Sequence, residues 1–496
     1  MQITRSVLLK TLLWALVLSP LVLAQTTYAE EVSPPAFRAG AAAINVSPWS
    51  GVSMAGYFND RKTAYVHDEL HARALVLDDG TRKLAFVVVD SCMIARETMD
   101  EAKKTIFEKT GISSEQVIMA ATHSHTAPTS AHVFQSEPDP QYRMFLIAKM
   151  ADAVVQATQN LEPAQIAWGS GQLPGPLNNR RWKMKPGTVP ESPLGVKTEQ
   201  VQMNPPVAGE NLLEPAGPID PEVSFIAVRS VSGVPIALLG NYSLHYVGGE
   251  KAGHASADYF GYFTREIERL LEVPAGNDPP FVGILTNGTS GDVNNINFRQ
   301  PNPPRQPYEQ MQRVAREVAA EVYRAYQQVK FHDAVTLDSE QIELEFKVRK
   351  PNEQELVRAK EILAAATGRE LTGGAEVYAR ETVLINDWPD TVKLLVQGHR
   401  IGDLAIATIP CEVFTEVGLA IKASSAIKPA FTIELANGYN GYLPTPQQHA
   451  WGGYETWRAK SSYLEVTASD TIVSALLECF NRMSERRPAV SPETKP

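Results

Sequence analysis

A chain of 496 residues, 44% hydrophobic and 21% charged, has the make-up of a soluble globular protein with mass enough for a large core. A net charge of −10 with no basic stripe excludes nucleic acid as a partner. Length alone allows about three domains or one large one.

The elements are taken in chain order. MQITRSVLLK carries Arg5 and Lys10, and TLLWALVLSPLVLA adds an apolar stretch interrupted by Pro20, too short to span a bilayer comfortably. Thr27-Tyr28-Ala29, with Ala24 as a second choice, offers a small-residue cleavage point. Residues 1–29 are therefore expected to be a signal peptide, and the mature protein to be secreted or periplasmic. Strand-like runs follow at Ala72–Leu77 and Leu84–Val89, then a helix at Glu97–Thr110 closed by Gly111, then a strand at Val117–Ala121. A helix at Tyr142–Leu161 precedes strands at Val223–Val228, Pro235–Gly240 and Val282–Leu285. Tyr308–Val329 reads as a helix whose Met311, Val314, Val318 and Val322 form one core-facing stripe. Strands at Ile342–Phe346, Leu404–Ile409 and Phe431–Leu435 alternate with helices at Glu353–Thr367 and Thr471–Met483. The Pro- and Gly-rich stretches 183–221 and 297–307 are expected to be loops or lids, and 488–496 a disordered tail. The pattern predicts a mixed α/β or α+β fold with mixed sheets flanked by helices. Cys92, Cys411 and Cys479 are too few and too spread for a disulfide framework; one bridge plus a thiol and three buried thiols both stay open.

Five apolar runs end in polar residues able to do chemistry. They lead into His123 and His125, into Asn241 and His245, into TNGTSGDVNN, into Pro410-Cys411-Glu412, and into ANGYNGYLPT with Asn437, Tyr439 and Tyr442. Loops at strand ends converge and are held rigidly, so ligands favour them. Histidines two apart on an extended segment point to one side. With a distant His and a carboxylate they make a tetrahedral Zn²⁺ site, and nitrogen and oxygen ligands with one open position suit hydrolysis. A hydrogen-bonded structural pair is the competing reading of His123-Ser124-His125. TNGTSGDVNN reads either as backbone N–H groups aimed at an oxyanion or as a tight turn.

These residues resemble the neutral/alkaline (non-lysosomal) ceramidase family, in its catalytic N-terminal domain. The resemblance runs in order through AGAAAINVSPWSGVSMAGY, VHDELHARALVLDDG, ATHSHTAPTS, NNRRW, GPIDPEVSFIAV, NYSLHYVGG, SADYFGYF, TNGTSGDVNN, PCEVFTEVG and ANGYNGYLPTPQQHAWGGYE. It implies a single ceramidase-like catalytic domain over 30–487, without the family's C-terminal immunoglobulin-like domain. It also implies one catalytic Zn²⁺ on His123, His245, Glu412 and Tyr442, where Cys411 replaces a family Gly. His125 matches the family's second histidine, which contacts the substrate and serves as acid/base, and Tyr454 matches a second functional Tyr. Arg180, with Arg181 beside it, matches an Arg near the substrate. The departure is Asn294, which stands where the family has an essential Ser; an amide accepts no acyl group, although it donates a hydrogen bond to an oxyanion.

The expected function is a zinc-dependent hydrolase cleaving an N-acyl amide, ceramide-like, by metal-activated water. The expected partner is a small-molecule or lipid amide, with peripheral membrane contact possible and no protein partner. Two other readings stay open: a zinc ester or phosphoester hydrolase using Arg180 for an anionic group, and a zinc-containing binding protein that lost catalysis with the Ser.

Overall fold

The computed structural model describes residues 37–486 except 302, 367 and 368; the expected signal peptide and C-terminal tail lie outside the described residues. The described residues fall within one compact unit. Its helices are α1 (Arg96–Thr110), α2 (Pro140–Gln159), α3 (Asp258–Leu270), α4 (Glu309–Tyr326), α5 (Glu353–Ala365), α6 (Gly373–Asn386), α7 (Thr415–Ser424), α8 (Pro446–Trp451) and α9 (Ala468–Glu485). The fold is mixed α/β. Among the described residues no helix is long and apolar enough to cross a membrane.

Eight strands form the larger sheet, in the order 282–287, 235–242, 222–230, 162–172, 38–45, 71–78, 83–89, 117–121. Neighbours are antiparallel except at the two edges, where 235–242 pairs with 282–287 and 83–89 with 117–121 in parallel. A second sheet runs 337–347, 391–401, 404–409, 430–434, its last pair parallel. Strand periodicity sorts the side chains. Leu75, Phe86, Val88 and Ile118 turn inward against Ile406, Phe431 and Ile433 of the second sheet. The alternate residues Ala74, Val87 and Met119 pack beneath α1 and α2. At the other end of the large sheet, α3 and α4 cover Phe225, Leu238 and Leu285. The outer face of the small sheet is covered by α7 and α9. The layers run helix, sheet, sheet, helix.

Several expected elements take these places, α1 with Gly111 at φ +74 among them. The stretch 183–221 differs from its expectation. Its strands 181–184, 201–203 and 212–215 form a three-stranded sheet, so part of it is organised structure. Runs of two to four residues with frequent prolines carry no usable period, which is why the sequence reads as loop there. The three cysteines are free and buried.

Strand 430–434 lies between the two parallel edges. Ala121 N–H donates to Leu435 O at 3.2 Å on one side, and Asn241 Nδ2 donates to Thr432 O at 3.0 Å on the other. The segments that follow strands 117–121, 235–242, 404–409 and 430–434 therefore meet at one end of the two sheets.

Candidate metal centre

His123 follows the edge strand 117–121, but the extended geometry expected for His-x-His does not hold. The strand ends at Ala121 and His123 sits in the left-handed region, φ +70, with its N–H on Ser91 O at 2.9 Å. That conformation costs a non-glycine residue about 1 kcal/mol or more and persists only where surroundings enforce it. The turn still brings the two rings together, perpendicular to each other, with Nε2 of His125 3.1 Å from Nε2 of His123. His245, reached from strand 235–242, places its Nε2 3.1 Å from that of His123.

Glu412 and Tyr442 arrive together for a simpler reason. Strands 412–413 and 442–443 pair in parallel, with Glu412 directly opposite Tyr442, and Glu412 N–H donates to Gly441 O at 2.9 Å. Glu412 Oε2 lies 3.2 Å from His123 Nε2 and 3.9 Å from His245 Nε2. Tyr439, unassigned from sequence although its motif is conspicuous, donates its hydroxyl to Glu412 Oε1 at 3.1 Å.

Arg180 closes the back of the cluster. Its Nη2 donates to Tyr442 OH at 3.1 Å and to Gly291 O at 2.9 Å, its Nε donates to Glu455 Oε1 at 2.9 Å, and its Nη1 lies 3.3 Å from His245 Nε2. Arg181 is a separate, fully buried anchor on Glu455 Oε2 and Gln448. Glu455 thus holds both arginines; the sequence signal was its place beside Tyr454. The Tyr454 ring meets that of Tyr442 edge-on at 5.8 Å.

The donor set fits a cation. His123 Nδ1–H donates to Cys92 O at 2.8 Å, and His245 Nδ1–H donates to Ser290 O at 3.0 Å. Each imidazole therefore presents an Nε2 lone pair to the other, and two lone pairs 3.1 Å apart repel unless a positive charge lies between them. Glu412 Oε2 is buried with no hydrogen-bond partner, as an anionic ligand of such a charge would be. His123, His245 and Glu412 form one group able to hold a metal ion, and Cys92, His123 and His125 another. The Cys92 sulfur lies on the Nδ1 side of His123, the side already spent on Cys92 O, so the first group is the better match.

Charge coupling follows the geometry. Burial works against a charged His123, but Glu412 outweighs it and the imidazole is held well above its usual range; a proton at its Nε2, 3.2 Å from Glu412 Oε2, answers the same demand for positive charge that a metal ion would. His245 and His125 are pushed well below theirs, by burial first and then by the positive charge of Arg180 and of neighbouring imidazoles. Burial raises Glu412, yet His123 and Arg180 win and the carboxyl is held below its usual range. Burial, then Glu412, pushes the Tyr442 phenol well up, against Arg180.

The N–H groups of residues 288–291 in the glycine-rich loop are spent on protein acceptors rather than left free to face the cluster. Gly288 N–H donates to Tyr242 O, Thr289 N–H to Ser243 Oγ, Ser290 N–H to Glu434 Oε2 and Gly291 N–H to Val413 O. Asn294 is not brought into the cluster either. It pairs with Asn178, its Nδ2 donates to Asn204 Oδ1 at 2.7 Å, and its Oδ1 accepts from Ile296 N–H at 2.9 Å. The physical reason is local: an Asx turn captures an amide that nothing else claims. Nor do the upstream hydroxyls replace the family's Ser. Ser290 Oγ donates to Glu434 Oε1, and Thr289 Oγ1 lies 3.4 Å from Ser243 Oγ. What the loop does is approach closely. A Cβ on Gly291 would lie 2.6 Å from the backbone oxygen of Glu412, so only glycine lets the loop pass behind the backbone that carries this carboxylate.

The model of the neutral/alkaline non-lysosomal ceramidase family, N-terminal, matches residues 37–302. The chain belongs to this family. Among solved structures it resembles a neutral ceramidase from Pseudomonas aeruginosa, with a TM-score of 0.67 at 19% identity over 93% of this chain and 76% of that one. It likewise resembles a ceramidase complexed with C2, with a TM-score of 0.67 at 19% identity over 93% of this chain and 77% of that one. Family and fold together support an enzyme that hydrolyses the amide bond of ceramide.

Proposed function

We propose that this family member is an exported, zinc-dependent amidohydrolase cleaving an N-acyl bond of a ceramide-like lipid. The observation that carries the reading is the convergence of His123, His245 and Glu412, with Tyr442 opposite Glu412 and Arg180 bonded to the Tyr442 hydroxyl. Those four side chains would hold the ion, and an imidazole, imidazole, carboxylate and phenolate set suits Zn²⁺. When bound, the ion supplies Lewis-acid polarisation of the acyl oxygen and a water of lowered pKa.

The chain's own residues carry the rest. His125 is buried, is held neutral by burial and neighbouring charge, and has Nε2 facing the cluster. It takes a proton at that nitrogen and returns it to the leaving amine, which must leave protonated. Tyr439 fixes one oxygen of Glu412 so that the other faces the imidazoles. Arg180 keeps the Tyr442 hydroxyl facing Glu412, and Tyr454 flanks the place where the acyl group would lie. With Asn294 engaged elsewhere, attack by water rather than by a side chain is favoured. The guanidinium of Arg180 is committed to protein partners, which gives no support to the phosphoester reading. Export rests on the N-terminal pattern of Arg5, Lys10 and the apolar stretch that follows.

The test is metal analysis of the purified protein combined with chromogenic N-acyl amide, ester and phosphoester substrates. Amide turnover that is lost in His123→Ala and kept in Asn294→Ala supports the reading. Bound zinc with no turnover of any amide overturns it in favour of a binding protein.

A further inference from the structure

The candidate ligands are enclosed: His123 and His245 are 1% exposed, Glu412 2% and Tyr442 6%. A substrate carbonyl reaches them only where part of the wall moves. On the side of His125 and Tyr454 that wall is the tip of a hairpin, formed by strands 53–54 and 61–62. Gly56, φ +109, lies so close to the His125 ring that a Cβ would come within 2.4 Å of it. Tyr57, 37% exposed, meets His125 edge-on at 6.0 Å. Phe58 reaches further in, and its ring lies 6.2 Å from Tyr454, 4.9 Å from Phe134 and 6.1 Å from Tyr378.

Tyr378 comes from α6. Its ring packs on Trp457 at 5.5 Å, and Trp457 packs on Tyr454 at 5.9 Å, so aromatic contacts run unbroken from Tyr442 to Tyr378. The lobe is otherwise apolar, built on Ala55, Met93, Val133 and Val377. Within it the Tyr378 hydroxyl is fully buried and has no hydrogen-bond partner. Leaving such a group unpaired costs about 1–3 kcal/mol, and folded proteins seldom keep one without a use.

We propose that Tyr378 is a specificity-determining residue: with Phe58 displaced, the lobe takes an apolar arm of the substrate, and the Tyr378 hydroxyl hydrogen-bonds a hydroxyl carried on that arm. This rests on the amidohydrolase reading above and narrows it to N-acyl amino alcohols over N-acyl alkylamines. A hydroxyl matched to a buried partner discriminates strongly, because the analogue lacking it leaves that partner unpaired.

The experiment compares wild type with Tyr378→Phe on two probes, an N-acyl long-chain amino alcohol and the N-acyl alkylamine of equal chain length. Removing an unpaired hydroxyl while keeping the ring leaves the melting temperature unchanged or higher. The expected result is a roughly tenfold loss of kcat/KM on the amino alcohol, mostly through KM, with the alkylamine unaffected. An equal loss on both probes, an unchanged ratio, or a lowered melting temperature (the mark of an internal partner) overturns the proposal. Equilibrium binding of the same probes, by calorimetry, separates it from the catalytic reading. If wild type cleaves neither amide, the hydrolase reading falls, while a binding preference for the amino alcohol that Tyr378→Phe abolishes still supports the Tyr378 assignment. Equal binding of the two probes, or none, overturns it.

Discussion

The Nε2 atoms of His123 and His245 stand 3.1 Å apart, each on a ring whose Nδ1–H is already donated to a backbone carbonyl, of Cys92 and of Ser290. Two inward-facing lone pairs at that separation are a demand for positive charge. Removing the metal with a chelator should lower the melting temperature, and Zn²⁺ at about a thousandfold excess over its Kd should restore about 4 kcal/mol. Elemental analysis is expected to find about one zinc per chain in the wild type, and His123→Ala should abolish both that content and the restoration. Zinc content unchanged in that variant would place the metal elsewhere.

Arg180 makes a prediction that separates charge from shape. Its fork serves Tyr442, Gly291 O and Glu455 at once, a geometry lysine does not reproduce. Arg180→Lys should lose on the order of 10²-fold in kcat/KM while the fold survives, since Arg181 still holds Glu455. Arg180→Met should in addition destabilise by about 3 kcal/mol, because it removes one of the two positive charges on a buried carboxylate. Steady-state kinetics and urea unfolding of the two variants check this; wild-type kinetics in Arg180→Lys would mean the fork geometry is irrelevant, and identical unfolding of the two variants would mean the charge is.

Gly291→Ala tests the close approach behind Glu412. The new methyl would lie 2.6 Å from the Glu412 carbonyl, backbone against backbone, with no flexible side chain to give way. The expected cost is about 1–3 kcal/mol of stability and a 10- to 100-fold loss of zinc affinity as the ligand carboxylate is displaced. Normal zinc affinity by competition with a chromogenic chelator would show that the loop, and not Glu412, had moved.

Lys103 sets a pH dependence of stability. It lies on the buried face of α1, donates to Asn437 Oδ1 at 2.7 Å, and burial lowers its pKa from 10.5 to about 7. The folded state gives up this proton before the unfolded state does. Lys103 therefore lends relative stability as pH rises from about 7 to about 10.5, and its contribution is flat below pH 7, where both states are charged. Lys103→Met should gain most on wild type at pH 6 and lose that advantage by pH 9.5, over a range of at most about 5 kcal/mol. Urea unfolding of both proteins at the two pH values reads the difference; a gap independent of pH would refute the lowered pKa of Lys103.

Much of this protein was decided locally. The stripe of Met311, Val314, Val318 and Val322 makes α4 wherever it packs, and Gly111 ends α1 because left-handed backbone suits glycine. That His123, His245 and Glu412 belong together was legible only through the resemblance to a family, each lying in a polar motif beyond an apolar strand. Tertiary structure decided the rest. The left-handed turn at His123 carries no signal in HSH, because enforced backbone strain leaves no mark on composition. That Asn294 faces Asn204, that the N–H groups of residues 288–291 are taken, and that Tyr439 supports Glu412 depend on which distant segment arrives first at each polar atom. Hydrogen-bond partners 27 to 144 residues apart are set by sheet order and register, and a one-dimensional pattern encodes periodicity but not who lies opposite.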